Sequence, residues 1–376
     1  MKVLILTCHT GEGHNSTAGA VRDVLESHGV PCESADTLAF LSPLVSRVVR
    51  HAHERIYRYI PKAFSAGYRA AEQTPEAFER RSLLYSLLTK GAKKLHRFVT
   101  EGGYDTIVCT HAFSSVLATG LLEKYPDCNI YTAFVATDYT CSPSVKESRL
   151  DAYFIPDESL RTEFSSKGIP TERIVPAGLP VRAPFLTSLS REEAAAQCGL
   201  DPQEKHLLLM CGSMGCGPIE QLTELLCTAL PDGAHLTVIC GTNKQLYHKL
   251  SRRFEGKTRV SILGFVKNVP ALMDCADVYL TKPGGISVTE ATAKGLPMVL
   301  VNAVAGCELY NMQYCVERDM ARTADTVEEL CELCITLLED NSARDCMRDA
   351  IAAHAHNDAA ERIYAHLEAA VQPKGE

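Results

Sequence analysis

The chain of 376 residues contains no tryptophan, and only 7% of it is aromatic. No apolar run approaches the roughly 18 residues a membrane-spanning helix needs. The longest, Pro297 to Gly306, is about half that length and contains Asn302. The apolar start, Met1 to Cys8, breaks at once into His9, Gly11 and Glu12. It shows neither a basic leader nor a small-residue cleavage site, so it does not read as a signal peptide. No strict internal repeat and no low-complexity segment occurs. The composition is 46% hydrophobic and 22% charged, which excludes wholesale disorder. At this length two domains are expected rather than one core.

Cysteine, by contrast, is abundant. The sixteen thiols run from Cys8 to Cys346, several of them inside apolar, strand-like stretches (Cys109, Cys211, Cys240). Disulfide frameworks belong to short secreted chains, so buried, reduced thiols in a cytosolic protein are the expectation. Cys331 and Cys334 form the one Cys-x-x-Cys. They lie in a leucine-rich helical stretch where residues three apart share a face, which reads as core packing. Charge is uneven. The net charge is −8, yet residues 45–97 hold twelve Lys or Arg against four acids, interleaved with residues such as Ile56, Tyr57, Phe64 and Leu87. An anionic membrane surface attracts such a segment, as does nucleic acid; a solvated helical face has the same composition.

Lys2–Thr7 is a short apolar strand, followed by a glycine-bearing turn and a helix from about Asn15 to His28. Candidate strands at Thr106–Thr110, Ile130–Ala136 and Ala152–Pro156 are separated by helical patterns. Residues from Gly178 to Leu189, with Pro180 and Pro184, read as a linker. The alternation then restarts, with strands at His206–Cys211, Leu236–Cys240, Val260–Leu263, Val278–Thr281 and Met298–Val301. Helices are expected at Ile219–Leu230, Asn243–Phe254, Val269–Cys275 and Ser287–Lys294. This is the signature of an α/β protein with two doubly wound parallel sheets, which predicts a cleft between their carboxyl ends.

Three turns carry chemistry. In Gly11-Glu12-Gly13-His14 the glycines allow close backbone approach at a helix N-terminus. His14 there is either a proton acceptor near neutral pH or an exposed residue beside an Asn15 or Ser16 cap. Gly212-Ser213-Met214-Gly215-Cys216-Gly217-Pro218 and Lys282-Pro283-Gly284-Gly285 both join a strand to a helix. Their amides suit a pyrophosphate, with Lys282 as an added cation. Glu290 has two readings: as the carboxylate of a Ser287-x-x-Glu290 capping box, or as a grip on the two hydroxyls of a ribose. Nowhere does Asp-x-Asp occur, the sort of carboxylate pair a metal carrying a departing pyrophosphate would use. Amides and helix dipoles would do that electrostatic work instead.

Together these residues resemble the family 28 glycosyltransferases, and among them the monogalactosyldiacylglycerol synthases and processive diacylglycerol glucosyltransferases. The resemblance spans nearly the whole chain. Besides the three turns it takes in Cys240-Gly241-Thr242-Asn243-Lys244, Gly264-Phe265-Val266-Lys267-Asn268, Ala276-Asp277, Glu290-Ala291 and Gly306-Cys307-Glu308-x-x-Asn311. It implies a GT-B fold of two Rossmann-like domains: an acceptor-binding domain at 1–180, with 45–97 as a membrane-docking segment, a UDP-sugar-binding domain at 181–350, and a C-terminal helix and tail at 351–376. It further implies His14 as general base. On the donor side it implies Phe265 and Val266 at the uracil and Glu290 at the ribose. Gly212, Ser213, Gly284 and Gly285 would border the phosphates, Gly13 and Lys282 would be further donor-binding residues, and Glu308 and Asn311 would lie near the sugar. His111 and Asp138 would lie on the acceptor side.

The activity implied is inverting hexose transfer from UDP-glucose or UDP-galactose to a diacylglycerol-type lipid. No metal is strictly required and nucleic acid is not a partner. The enzyme would be cytoplasmic and peripheral on the inner face of the cell membrane. Alternatives are a UDP-N-acetylglucosamine transferase acting on a lipid-linked peptidoglycan precursor, a UDP-sugar 2-epimerase of the same fold, and a sensor without turnover. Two departures stand out. Cys307 replaces the glutamine common between the glycine and glutamate of the sugar motif. After Thr137-Asp138-Tyr139, Ser142 and Val145 stand where lipid-glycosylating members often have His and Trp.

Overall fold

The structure, a computed structural model, describes residues 1–8, 12–44, 46–49, 79, 82–301, 303 and 306–371. Gly11 and most of the basic segment 45–97 lie outside the described residues. The chain divides into two compact units. One is built from Met1–Arg182 and the segment from His356 onward, the other from Ala183–Val304 and Glu308–Ala355.

The first unit holds a six-stranded sheet in the order β2-β1-β3-β4-β5-β6. The strands are β1 (Val3–Thr7), β2 (Cys32–Asp36), β3 (Thr106–Cys109), β4 (Tyr131–Val135), β5 (Ala152–Ile155) and β6 (Ile174–Pro176). Every pairing is parallel. The central strands are apolar at successive positions because helices cover both faces; Val3 to Leu6 have no exposed surface. Helix Glu12–Ser27 sets Ala18, Val21 and Leu25 against one face.

The last helix, Ala359–Val371, belongs to this same core. Ile363 and Leu367 pack with Val3, Ile5, Val108 and Phe154. Histidines fasten it: His28 to Glu361 at 2.8 Å, Tyr131 to His366 at 3.0 Å, and His356 to Asp157 at 3.2 Å. Sequence reasoning set 351–376 apart as a C-terminal helix and tail, since an apolar stripe names no partner.

The second unit holds six parallel strands in the order β12-β11-β10-β7-β8-β9. These are β7 (Lys205–Met210), β8 (Ala234–Ile239), β9 (Val260–Leu263), β10 (Val278–Thr281), β11 (Met298–Leu300) and β12 (Ala321–Thr323). Read from β9 this is the 3-2-1-4-5-6 order of a dinucleotide-binding fold. Cys331 and Cys334 are both buried on helix Val327–Glu339, and all sixteen cysteines are free thiols. Among the described residues no helix is long and apolar enough to cross a membrane.

Ile363 is fully buried far along the chain from its partners. Ile363→Ala should therefore cost about 2–5 kcal/mol, read as a lower midpoint in urea unfolding of the first unit.

Candidate active site

In the first unit the strand order reverses between β1 and β3, and ligands of open α/β sheets bind beyond the carboxyl ends of such a pair. Loops from three adjacent strands meet there. After β1, His14 is the third residue of helix Glu12–Ser27. Thr110 and His111 follow β3, and Thr137 and Asp138 follow β4. His14 Nδ1 lies 2.8 Å from the Thr110 carbonyl and 3.1 Å from Thr137 Oγ1. A carbonyl only accepts, so the neutral ring carries its proton on Nδ1 and keeps the lone pair on Nε2. Thr137 in turn donates to Asp138 Oδ2 at 3.3 Å. Burial lowers the pKa of His14, opposed by the charge of Asp138 and by the Thr110 hydrogen bond, and the net shift is downward. The imidazole is therefore neutral at pH 7. His111 caps the next helix, Ala112–Lys124, its Nδ1 accepting from the Phe113 amide at 3.0 Å. Its ring meets that of His14 edge-on, with centroids 4.4 Å apart.

In the second unit the reversal falls between β7 and β10. The loop after β7 and the loop after β8 are pressed backbone to backbone. A Cβ on Gly215 would stand 2.1 Å from the Cys240 carbonyl oxygen, and one on Gly241 2.1 Å from that of Ser213. Both glycines have left-handed φ, +57° and +56°, which L side chains rarely adopt. Thr242 donates its amide to Ser213 at 2.8 Å, and Asn243 Nδ2 donates to the Gly215 carbonyl at 3.0 Å. The loop after β10 closes in as well: a Cβ on Gly212 would come 2.7 Å from Lys282 Cε. Lys282 Nζ pairs with Glu308 at 2.8 Å.

Gly284 is the N-cap of helix Gly285–Ala293 and gives no side-chain cap, which leaves first-turn amides for another acceptor. Asn311 is fully buried and donates Nδ2 to the Pro283 carbonyl at 3.0 Å, so it supports this turn from beneath. Phe265, beyond β9, is 64% exposed, an apolar ring left in solvent beside the half-buried Val266.

Glu290 does not form the capping box. The helix begins at Gly285, two residues before Ser287, which puts Glu290 in its second turn. Its carboxylate is partly buried and has no hydrogen-bonding or charged partner among the described residues. Burial pushes its pKa up to about 8. An unpartnered carboxylate at this depth is destabilising and suits a ligand that brings hydroxyl donors. Among the described residues no three His, Cys, Asp or Glu form a metal-binding group.

Residues 14–181 match the family model described as monogalactosyldiacylglycerol (MGDG) synthase, and residues 221–353 match glycosyl transferases group 1. The processive diacylglycerol beta-glucosyltransferase of Staphylococcus saprophyticus is 28% identical over 335 residues, 88% of this chain and 83% of that protein. That of Staphylococcus aureus strain Newman is 26% identical over 345 residues, 90% of this chain and 85% of that protein. Among solved structures, Acinetobacter baumannii MurG superimposes with a TM-score of 0.65 at 15% identity, covering 98% of this chain and 99% of that one. The UDP-GlcNAc 2-epimerase of Neisseria meningitidis does so with a TM-score of 0.65 at 13% identity, covering 98% and 99%. The chain is a GT-B glycosyltransferase related to the family 28 UDP-sugar transferases.

As a UDP-sugar-dependent hexosyltransferase, it carries its expected site residues in two groups. His14, His111 and Asp138 gather at the switch point of the first unit, with Gly13 one residue before His14. Gly212, Ser213, Lys282, Gly284, Gly285 and Glu308 gather at that of the second, with Glu290 and Asn311 on the flanking helices and Phe265 and Val266 on the β9 loop. Sequence reasoning missed Thr110 and Thr137. Both directly precede residues it singled out, but nothing in a sequence says that a strand-end carbonyl and hydroxyl will face an imidazole.

Because the folded pKa of Glu290 lies above its unfolded value, its contribution to stability is lost as pH rises from about 4.5 to about 8. Glu290→Gln should therefore melt a few degrees above the natural protein at pH 8.5, with the difference vanishing near pH 4.5. A Gln variant that melts lower at pH 8.5 would mean the carboxylate has a stabilising partner.

Proposed function

We propose that this enzyme transfers a hexose, with inversion, from UDP-glucose or UDP-galactose to a diacylglycerol-type lipid at an anionic membrane surface, as a cytoplasmic peripheral enzyme. The observation that carries this reading is the His14 imidazole, neutral and with its lone pair on Nε2, at the start of the stretch that matches the MGDG synthase family. The names of the curated relatives, processive diacylglycerol beta-glucosyltransferases, support the acceptor class.

In this mechanism His14 Nε2 takes the acceptor hydroxyl proton as the oxygen attacks the anomeric carbon from the face opposite UDP. The bond from that carbon to the diphosphate oxygen breaks, and UDP leaves with the electron pair. Asp138, through Thr137, stabilises the imidazolium that forms. The growing charge on the β-phosphate meets first-turn amides of helix Gly285–Ala293 and the Gly212–Ser213 turn, with Lys282 within reach of the same turn. The Glu290 carboxylate takes the ribose hydroxyls, and Phe265 covers the uracil.

Exposed apolar side chains in the first unit support the membrane surface. Leu44, Val48, Leu83 and Leu87 all face solvent, and Lys90, Lys93 and Lys94 of the same unit are exposed as well. Apolar side chains beside basic ones are what an acidic bilayer recruits.

The deciding experiment supplies labelled UDP-glucose or UDP-galactose and liposomes with or without diacylglycerol, then separates the lipids. Label should enter a glycolipid only with diacylglycerol present, and no labelled lipid from either donor would refute the reading. His14→Ala should keep UDP affinity within about twofold and lose transfer by at least about 10²-fold. Asp138→Asn removes the charge that favours imidazolium. The acid limb of its kcat/KM profile should therefore move to lower pH while the plateau falls about tenfold or more. An acid limb that stays put would remove Asp138 from the mechanism.

A further inference from the structure

Two thiols meet in the second unit, next to the loop that carries Phe265 and Val266. Cys198 is the last residue of helix Arg191–Cys198, and Cys275 is the last of helix Val269–Cys275. The two helix ends pack together. Cys275 is buried with Ala194 and Ala195, and the half-buried Cys198 lies against the same cluster. The thiols are hydrogen-bonded to each other, and Asn268 Nδ2 donates to Cys198 Sγ at 3.7 Å. Donors aimed at one sulfur favour its thiolate. Cys275, and after it Asn268, lower the pKa of Cys198 against its burial, while that of Cys275 is raised. Asp274 opposes the shift at Cys198, but its own charge is met by Lys294 Nζ at 2.8 Å. One sulfur is therefore the nucleophile, partly open to solvent, and a second waits in contact with it.

We propose that Cys198 and Cys275 are a redox modification site: hydrogen peroxide joins them in a disulfide, a dithiol separates them, and the joined form binds UDP more weakly. The effect on UDP rests on the proposed placement of the uracil at Phe265. In the first step the Cys198 thiolate attacks one peroxide oxygen, the O–O bond breaks, and hydroxide leaves, so that Cys198 becomes a sulfenic acid. Cys275 then attacks that sulfur. The S–S bond forms, and the sulfenic oxygen departs with the Cys275 proton as water. In sum two thiols lose two electrons and two protons, and one peroxide becomes two waters. Sulfurs already in hydrogen-bonding contact lie within a side-chain rotation of the S–S bond length of about 2.05 Å.

The link to UDP runs through Asn268. It is the N-cap residue of helix Val269–Cys275, yet its side chain makes no capping bond. That side chain instead ties the end of the Gly264–Asn268 loop to Cys198. A disulfide sulfur is a poorer acceptor than a thiolate, so oxidation loosens the loop at its far end.

The test treats the full-length protein with hydrogen peroxide, alkylates the remaining thiols and maps tryptic peptides without reductant. UDP binding is measured by calorimetry before peroxide, after it, and again after dithiothreitol. The peptides 192–205 and 268–294, which hold Cys198 and Cys275, should be joined by peroxide and separated by dithiothreitol. UDP affinity should fall about two- to tenfold, the order of one lost hydrogen bond, and return on reduction. Cys275→Ser should bind UDP as the reduced natural protein does and keep that affinity in peroxide. Three results each overturn the proposal: no joined peptide pair, a joined pair with unchanged UDP affinity, or a Cys275→Ser variant that weakens in peroxide as the natural protein does. None of these readouts uses a lipid, so failure to glycosylate diacylglycerol would refute the proposed function and leave this inference standing.

Discussion

A carbonyl oxygen has no proton to give, and that one-sidedness governs the chemistry of the first unit. The Thr110 carbonyl holds His14 Nδ1 at 2.8 Å and so decides which nitrogen is left basic. A free histidine divides its proton between two tautomers; here the end of β3 has removed the choice before any substrate arrives. Burial keeps the ring neutral while Asp138 opposes that shift. The two influences oppose each other: burial disfavours the charged ring, and the carboxylate favours it. Thr137, between ring and carboxylate, keeps Asp138 from taking the proton directly, so its influence is electrostatic.

The parallel sheets explain why residues so far apart in sequence meet. In each unit two neighbouring strands send their helices to opposite faces, which opens a crevice beyond their carboxyl ends. His14 and Thr110 flank one such pair, Gly212 and Lys282 the other. The strands around these crevices were legible in the sequence because burial on both faces makes them continuous apolar runs. β9, β10 and helix Val269–Cys275 fall on the expected residues. The strands that went unread are β2, β6 and β12, which lie at sheet edges. β2 reads Cys-Glu-Ser-Ala-Asp and none of its side chains is buried. An edge strand pairs on one side only and needs no second apolar face, so its sequence resembles a loop. Long-range docking was equally hidden: helix Ala359–Val371 shows an apolar stripe but not that β1 and β5 lie beneath it.

On the donor side the glycines were readable as glycines, but their reason was not. At Gly215 and Gly241 no ligand is needed to explain the missing side chain, since each Cβ would strike a carbonyl of the other's loop. The two loops lock each other and so pre-form the turn that carries Gly212 and Ser213. Glu290 shows the opposite economy. Ser287-x-x-Glu290 has the spacing of a capping box, yet the helix starts early because Gly284 and Gly285 can open it. That frees the carboxylate from backbone duty and leaves it half-buried and unsatisfied. Stability is given up at that position, as is common where a fold keeps a group ready for a ligand.

The two units therefore differ in what their sequences can reveal. The candidate site of the second unit is framed largely by backbone geometry, which leaves glycines and prolines at fixed spacing that any reader of the chain can find. The candidate site of the first unit rests on side chains at strand ends, whose direction a sequence does not show. Val145 illustrates the point. It stands where lipid-glycosylating relatives often carry tryptophan, yet here it is fully buried beside a short turn. A buried aliphatic at that position contributes packing and offers no surface to a ligand. Among the described residues, the large exposed apolar side chains of the first unit are Leu44, Val48, Leu83 and Leu87. A surface of that kind binds by area and charge rather than by shape. Such a surface tolerates changes of individual residues, whereas the mutually locked Gly215 and Gly241 do not.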